Sequence, residues 1–574
     1  MFNKLDEYRR KKHLNITLLI KSAALLILTS FLFSMQLFVP TDHDVYDFLE
    51  RQSTRGYIPE FMNDTKPLQR DEIAEWLVKI SELENELHRV DRELLNYYLS
   101  EYRYELTDLR HPCLGDTSDS RLGFSSWKNY SHDMRSMFND DIFKEQNHIY
   151  IHESENNTIW VDTDFRVRGE GKNSTLRFVD QLGAYASIQA GEHLALFVDG
   201  YFFHQYVPDD WPDPADEFNG NWLNIGGDID GIATWDRSQA YANISGKFGV
   251  LTIAHHPVNW GNSLNSVILS DNATSFGSLR WSKRFKHFKY SYLHGSLMMP
   301  TYSSLGDDGR YYIPKYLAAH RIEIMFTPRF HVNFSEMITY GGEDRIPEIT
   351  YLVPIIFLWP SEHALGDRDN KMIALEAELF PFNGLRLYGS VFLDELVFGQ
   401  IFNDFWANKY ALQAGFQWSP RSLPADLILE ATAVHPWTYV HHFSFGSYTH
   451  HGKELGFFAG PNTQLISGKL NYDLSAKHSL SLSYNSLFEG ADSVLVGDTM
   501  YPLGGDVNQD DYERFRDLDH ETTWLMGDIT RTTSIKLDWI YRWKNQISFL
   551  TSCEWRNIQG QSDIYYSIQL NLNY

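Results

Sequence analysis

The sequence predicts an all-β transmembrane antiparallel barrel of about eighteen strands, preceded by a small N-terminal α-helical bundle. Three observations predict it. From about Thr158 to Tyr574 apolar residues recur with a period of two, which gives each segment one apolar and one polar face. The connections between these segments alternate between tight and long. Between Thr41 and about Leu109 the period is helical instead.

The chain opens on a targeting segment, residues 1–36, read as a signal peptide. Lys4, Arg9, Arg10, Lys11 and Lys12 form a basic region, the apolar run is strongest from Ser22 to Phe33, and Ser34-Met35-Gln36 offers a cleavage site. Lys21 interrupts the run and leaves it short for a spanning helix. Residues 37–112 are the expected periplasmic helical bundle. Val45, Phe48 and Leu49 share one helix face. Ile73, Trp76, Leu77 and Ile80 share a second, and Leu83, Leu87, Val90, Leu94 and Leu95 a third. Such faces need partners, and His111-Pro112 ends the unit. Residues 113–157, polar and rich in Ser and Asp, are read as a linker, and 158–574 as the barrel.

Within the barrel the clearest strands are Gly384 to Asp394, Ser479 to Phe488, Thr532 to Trp543 and Gln546 to Asn557. In the closing stretch Ile564, Tyr566, Ile568, Leu570, Leu572 and Tyr574 alternate with Tyr565, Ser567, Gln569, Asn571 and Asn573. A soluble sandwich also alternates, and the connections separate the two readings. Gly191-Glu192, Gly246-Lys247, Pro328-Arg329, Phe382-Asn383, Ala476-Lys477 and Lys544-Asn545 are tight, whereas 207–238, 341–371, 440–462 and 489–531 are long. Short turns on one rim and long loops on the other indicate an outer-membrane barrel, with the bundle on the short-turn, periplasmic side. Glu336 falls on the predicted lipid face, which points to a rim position, a bulge or a shifted register. The apolar run Ile346 to Pro360 is predicted to fold into the barrel mouth as a plug or constriction.

Composition excludes several functions. The 574 residues hold 50 Lys and Arg against 75 Asp and Glu, a net charge of −25. Residues 1–36 hold six basic and two acidic residues, so without them 44 and 73 remain, a net charge of −29. So acidic a chain repels phosphate, and no nucleic acid is expected as a partner. Cys113 precedes the barrel, Cys553 lies far along a strand, and no bridge between them is expected; neither has a metal or redox spacing. Aromatic residues make up 15%, which suits interfacial girdles and sugar-stacking loops. Trp211, Trp222 and Trp235 share the first long loop with Asp209, Asp210, Asp213, Asp216 and Asp236. Flat rings stack on the apolar faces of sugars and carboxylates accept hydrogen bonds from hydroxyls; the alternative role is packing of the loop. The pairs His255-His256, His441-His442 and His450-His451 point to opposite strand faces and chelate poorly, so no metal and no cofactor is expected. There is no GxSxG elbow, no phosphate loop after a strand and no spacing that singles out a nucleophile and its base, so no enzyme is expected.

Several stretches resemble the Wzi-type capsule-assembly family of outer-membrane proteins. Val39-Pro40-Thr41-Asp42-His43-Asp44-Val45-Tyr46, Gly56-Tyr57-Ile58 and Pro67-Leu68-Gln69-Arg70 resemble its helical opening. Trp260-Gly261 with Leu269-Ser270-Asp271-Asn272-Ala273, and Glu362-His363-Ala364-Leu365-Gly366 with Asp369-Asn370, resemble two loop motifs. Pro436-Trp437-Thr438-Tyr439, Leu455-Gly456 and Gly460-Pro461-Asn462 resemble a third, and the set runs in family order. The resemblance implies an eighteen-stranded barrel and a lectin-like role, binding capsular or other surface polysaccharide and holding it at the cell surface. Trp260, Asn272, His363, Asp369, Trp437 and Tyr439 then join Trp211 and Trp222 as candidate polysaccharide contacts, while turn geometry and loop hydrogen bonding are the alternative role of the motif Gly and Asn residues. The expected partners are that polysaccharide, outer-membrane lipid and, through the bundle, capsule-export machinery or peptidoglycan. A porin-like sugar-permeable channel is the alternative; inward-folded loops and a bundle beneath the mouth would close the lumen and favour binding. Because the loops are net acidic, a neutral or cation-bridged glycan fits their charge better than an acidic one.

Overall fold

Each period-two segment pairs with its neighbours along the chain, antiparallel, and the last returns to the first. The computed structural model describes residues 37–108, 138–144, 148–154, 157–191, 193–206, 223–229, 232–261, 263–299, 313–400, 404–509 and 522–573. The wall runs β1 (Asn157–Lys172), β2 (Thr175–Ala190), β3 (Leu194–Tyr206), β4 (Ile232–Gly246), β5 (Gly249–His255), β6 (Gly277–Arg284), β7 (Phe288–Leu297), β8 (Lys315–Thr327), β9 (Phe330–Gly341), β10 (Asn370–Phe382), β11 (Leu385–Glu395), β12 (Lys409–Trp418), β13 (Ala425–Val434), β14 (Thr463–Ser475), β15 (His478–Glu489), β16 (Thr530–Lys544), β17 (Ile547–Ile558) and β18 (Gln561–Asn573). Closure is made by β18 on β1, from Tyr565 opposite Lys172 to Asn573 opposite Asp164. The result is a closed antiparallel barrel of eighteen wall strands, as the alternation predicts. Two short strands, Tyr150–Ser154 and Leu223–Ile229, pair beside the ends of β1 and β4 without interrupting the wall.

The apolar faces point outward. Phe178, Leu182, Phe202, Ile253, Ile466 and Ile568 are each 53–65% exposed. A ring of large apolar side chains around a whole wall needs an apolar solvent, and the strands carry it across the membrane. Phe285 stacks on Phe288 and Phe326 on Phe330 beside the tight turns, where an aromatic girdle belongs. Cys553 is a free, exposed thiol on β17; Cys113 lies outside the described residues.

The helical unit comprises α1 (Val45–Thr54), α2 (Arg70–Ser81), α3 (Arg89–Glu101) and α4 (Arg103–Asp108). The predicted faces do meet: Phe48, Leu49, Ile73, Trp76, Leu77 and Leu94 share one buried core. Leu83 and Leu87 lie before the third helix rather than in it. The His88 ring accepts a hydrogen bond from the Val90 amide at 3.2 Å and starts α3 there. The opposite face of α1 is polar yet buried, because it rests on the inner wall of the barrel. Arg51 reaches Asp426 on β13 at 2.6 Å, Asp473 on β14 at 2.7 Å and Asp91 on α3 at 3.2 Å. Arg55 pairs with Asp91 at 2.6 Å, and the Gly384 amide in the β10–β11 turn donates to Thr54 at 2.7 Å. The unit therefore docks on its own barrel, at the tight-turn end.

One bundle pair predicts a pH dependence. His43 Nε2 lies 2.9 Å from Glu101 Oε1. Burial works against both charges but the opposite charge prevails, so the imidazolium pKa lies above its ordinary value and the carboxyl pKa below its own. The His43 contribution is complete below the unfolded value of 6.5 and is lost as pH rises through the raised folded value. The Glu101 contribution is complete above 4.5 and is lost as pH falls through the depressed value. The pair therefore stabilises most between pH 4.5 and 6.5. Unfolding midpoints measured from pH 5 to pH 9 are expected to decline on the alkaline side, and His43→Ala is expected to flatten that decline.

Candidate functional site

The long loops build two things: a core that crosses the lumen and a polar patch on the rim. The loop from 256 to 276 leaves β5, crosses the barrel and meets the far wall. There the amides of Leu264 and Asn265 donate to the Glu430 carboxylate of β13 at 2.9 and 3.2 Å. On the way it pairs with the helical unit, Thr65 opposite Trp260 and Lys66 opposite Asn259. The loop from 435 to 462 packs against it. Tyr439 Oη donates to the Val267 carbonyl at 2.8 Å, and the Ser270 amide donates to the Leu455 carbonyl at 2.7 Å. Val267, Leu269, Leu317, Met337, Phe392 and Tyr448 complete a buried apolar core on the β6–β14 side of the lumen. Opposite it, along β1–β4, a polar cavity of about 720 Å³ runs up from the helical unit, lined by ion pairs such as Arg237–Asp199.

Three of the predicted sugar contacts belong to this core. Trp260 is 1% exposed, Tyr439 0% and Trp437 6%, so in this conformation they offer no ring face to a ligand. Trp437 and Tyr439 have φ of +68° and +71°, a left-handed backbone sustained by their packing and by their amides, which donate to the Gly504 carbonyl at 2.9 Å and to Asp394 Oδ2 at 2.6 Å. Gly504 lies flat on the Trp437 ring; a Cβ there would stand 2.7 Å from it, so only glycine fits. Asn272 is half-buried and its side-chain amide reaches the Glu454 carbonyl at 3.4 Å, tying one long loop to the other. Asp369 is buried too, accepting from both terminal nitrogens of Arg345 at 2.5 and 2.7 Å and from Tyr351 Oη at 2.9 Å. Trp211 and Trp222 lie outside the described residues. Trp235 is not a loop residue: it lies on β4, buried, 5.3 Å from Phe203.

The predicted plug is elsewhere. Even-numbered residues of β7, β8 and β9 face outward, odd-numbered ones toward the lumen, where Lys289 and Asn333 meet the helical unit. The stretch from 342 to 369 binds the even-numbered, outer face. Tyr292 Oη donates to the Tyr351 carbonyl at 2.8 Å, and the Glu348 amide donates to Tyr340 Oη at 3.0 Å. Ile346 to Pro360 is thus a strap on the outside of the wall, not a constriction in the mouth. Its apolar character serves two surfaces at once: Tyr351 and Leu358 are buried against Ala318 and Ile338, while Ile346, Ile349, Ile355 and Phe357 are 72–77% exposed.

Glu336 is explained by the strap. It does face outward, and its pairing with β8 and β10 is continuous, without a bulge at that position. Its carboxylate accepts from the Leu358 and Trp359 amides at 3.0 and 2.7 Å and from His320 Nε2 at 2.8 Å. Leu358 and Trp359 begin a helix, α5 (Leu358–Leu365), whose own N-cap, Phe357, supplies no side-chain acceptor. A carboxylate from the neighbouring strand caps it instead. Glu336→Ala orphans one buried and one half-buried amide and is expected to lower stability by about 2 kcal/mol. Limited proteolysis is then expected to cut first between 346 and 357.

The far end of α5 carries the rim patch. Gly366 takes φ of +110° and ends the helix. His363 is 54% and Asp367 71% exposed. Trp359 Nε1 donates to His363 Nε2 at 3.3 Å, one helical turn away. Lys371 Nζ donates to Glu362 at 3.0 Å, to His363 at 2.9 Å and to Asp367 at 3.1 Å, and lies 5.5 Å from the Trp359 ring centre. Glu362, His363 and Asp367 hold ligand atoms within 4.8 Å of one another, but the place a metal ion would take is held by this ammonium. An aromatic ring, an imidazole, an ammonium and an exposed carboxylate together can stack on and hydrogen-bond a polyhydroxylated ligand. Sequence reasoning reached His363 but not Trp359 or Lys371, because Pro354 and Pro360 disguise the helix that aligns them. Pro360 sits in the first turn, where a helix tolerates it.

A closed eighteen-stranded wall with an apolar exterior, a docked helical unit and a loop-filled lumen defines an outer-membrane barrel protein. The sequence matches the family model described as capsule assembly protein Wzi over residues 102–550, and the chain belongs to that family. No protein of curated function matches the sequence. Among solved structures, the chain is similar to Escherichia coli Wzi, described as an outer-membrane protein involved in group 1 capsule assembly and as a carbohydrate-binding β-barrel. The TM-score is 0.55 at 14% identity, covering 93% of this chain and 99% of that one. A BenF-like porin from Pseudomonas fluorescens matches at a TM-score of 0.41 and 8% identity, over 72% of this chain and 98% of that one. OpdK of Pseudomonas aeruginosa matches at 0.39 and 9%, over 72% and 98%.

Proposed function

We propose that the chain is a lectin-like barrel that holds capsular or other surface polysaccharide at the cell surface, with the long-loop rim outside and the helical unit in the periplasm. The observation that carries this reading is the lumen-crossing core. The described parts of the loops that would gate a channel instead pack on one another in a buried core and pair with the helical unit through Thr65 and Lys66, which favours a binding surface over a gate. Family membership and the carbohydrate-binding description of the E. coli structure support it. Trp359, His363 and Lys371, together with Trp211 and Trp222, are the proposed sugar contacts. Trp260, Asn272, Asp369, Trp437 and Tyr439 shape the surface from beneath. A docked bundle leaves capsule-export machinery or peptidoglycan only its outward face.

The test is binding of the host's own surface polysaccharide to the purified barrel in detergent, with ion conductance recorded on the same preparation. Binding without conductance is expected. Steady conductance without binding would assign the polar cavity along β1–β4 to transport and make the protein a sugar-permeable channel. Trp359→Ala is expected to weaken binding about tenfold, or about 1.4 kcal/mol, with the unfolding midpoint unchanged. An unchanged affinity would move the site to another part of the rim.

A further inference from the structure

The strap does more than cover Glu336. Beside it the outer wall is concave. Ala186 on β2, Ala240 and Ala242 on β4, and Gly277 on β6 all point outward, and their small size leaves an apolar groove of about 1000 Å³. Pro347 of the strap bounds it on one side. Ile253 and Leu279, 65% and 37% exposed, stand at its edge. The floor follows one hydrogen-bonded line, with Val198 opposite both Ala186 and Ala240, Ala240 opposite His255, and His255 opposite Gly277. That line lies toward the tight-turn ends of β2 and β3, mid-strand on β4, and at the long-loop ends of β5 and β6.

Three facts say what fills it. The groove is part of the lipid-facing wall and continuous with its apolar band, so its contents come from the bilayer. Outward polar groups, His255, His294 and Tyr316, line its end nearest the long loops, where headgroups begin. Next to Pro347 the strap presents Ile346 and Ile349, both 75% exposed, as a second apolar flank. We propose that the groove holds an acyl chain of a lipid in the leaflet on the long-loop side, and that the strap is the clamp that retains it. The bilayer then meets a notch on this side of the barrel, and a bound lipid completes the wall.

The test uses the full chain in nanodiscs of palmitoyl-oleoyl phosphatidylglycerol containing a small fraction of phosphatidylcholine with a diazirine-bearing acyl chain. After irradiation, labelled peptides are identified by mass spectrometry. Labelling of the peptides carrying Ala242, Leu279 and Ile346 is expected to exceed that of the plain lipid face of β16, Ile535 to Trp539, by at least fivefold. Ala242→Trp, which fills the groove, is expected to bring the two to parity while β16 labelling stays constant. Ala240→Leu is a milder second filling, and heat-dependent gel mobility identifies the folded barrel for either variant. Even labelling around the wall, or a groove signal that survives both substitutions in folded protein, would overturn the proposal. The readout involves no polysaccharide, so it stands or fails apart from the glycan-binding reading.

Discussion

Arg51→Ala is expected to lower the stability of the folded protein by about 3–5 kcal/mol. The guanidinium is 3% exposed and bridges one carboxylate of the helical unit and two of the wall, Asp91, Asp426 and Asp473. Removing it leaves three clustered carboxylates offset only by Arg55, paired to Asp91, and by Arg542, near Asp473, and desolvated charges short of partners are costly. The measurement is denaturant unfolding in detergent, followed by loss of the folded band on a gel. Lys469→Ala is the control. Its partner Asp47 is 52% exposed, and such a pair is worth under about 1 kcal/mol. Equal effects of the two substitutions would show that the helical unit does not hold to the wall through Arg51.

Tyr439→Ala is expected to cost about 3–5 kcal/mol as well, and also to change conductance. The ring is fully buried against Phe392 and Tyr448, and the hydroxyl joins the two long loops by donating to Val267 and accepting from the Phe457 amide at 3.2 Å. Truncation leaves a cavity and two lost hydrogen bonds in the middle of the lumen. Planar-bilayer recordings are expected to show brief openings absent from the unaltered protein. A stable, silent variant would mean that the loop core does not seal the barrel.

The two outcomes bear on how much of the molecule can be read from its residues. Alternation is a local property, and wall strands, tight turns and the lipid face all follow from it, Glu336 included. The helix faces of Val45 and Ile73 are equally local. What the residues do not disclose is which side of the wall a long loop takes. Ile346 to Pro360 is apolar, and an apolar loop fits either a plugged lumen or an outer wall; only the outward tyrosines of β7 and β9 and the cap from Glu336 decide it. The motif aromatics are ambiguous in a related way. Trp260, Trp437 and Tyr439 could stack on a sugar or pack within the loops, and burial, a property of the whole loop set, places them in the core, Tyr439 on Phe392 and Tyr448 and Trp437 on Gly504. Trp359 and Lys371 are twelve residues apart across a turn, and no period connects them.

The radial ion pairs of the helical unit have a consequence for how the chain assembles. Arg51 is made early, yet Asp426 comes 375 residues later. Asp44 meets Arg542 after 498. These are among the most distant contacts the chain makes, and such contacts exact their loop-closure entropy before they stabilise anything. The helical unit thus acts as a hub awaiting spokes: it can be compact on its own core but cannot neutralise its polar face until β13, β14 and β16 arrive. Helical unit and wall are therefore expected to order in one step, late, with the hub setting the circumference on which the final strand must close.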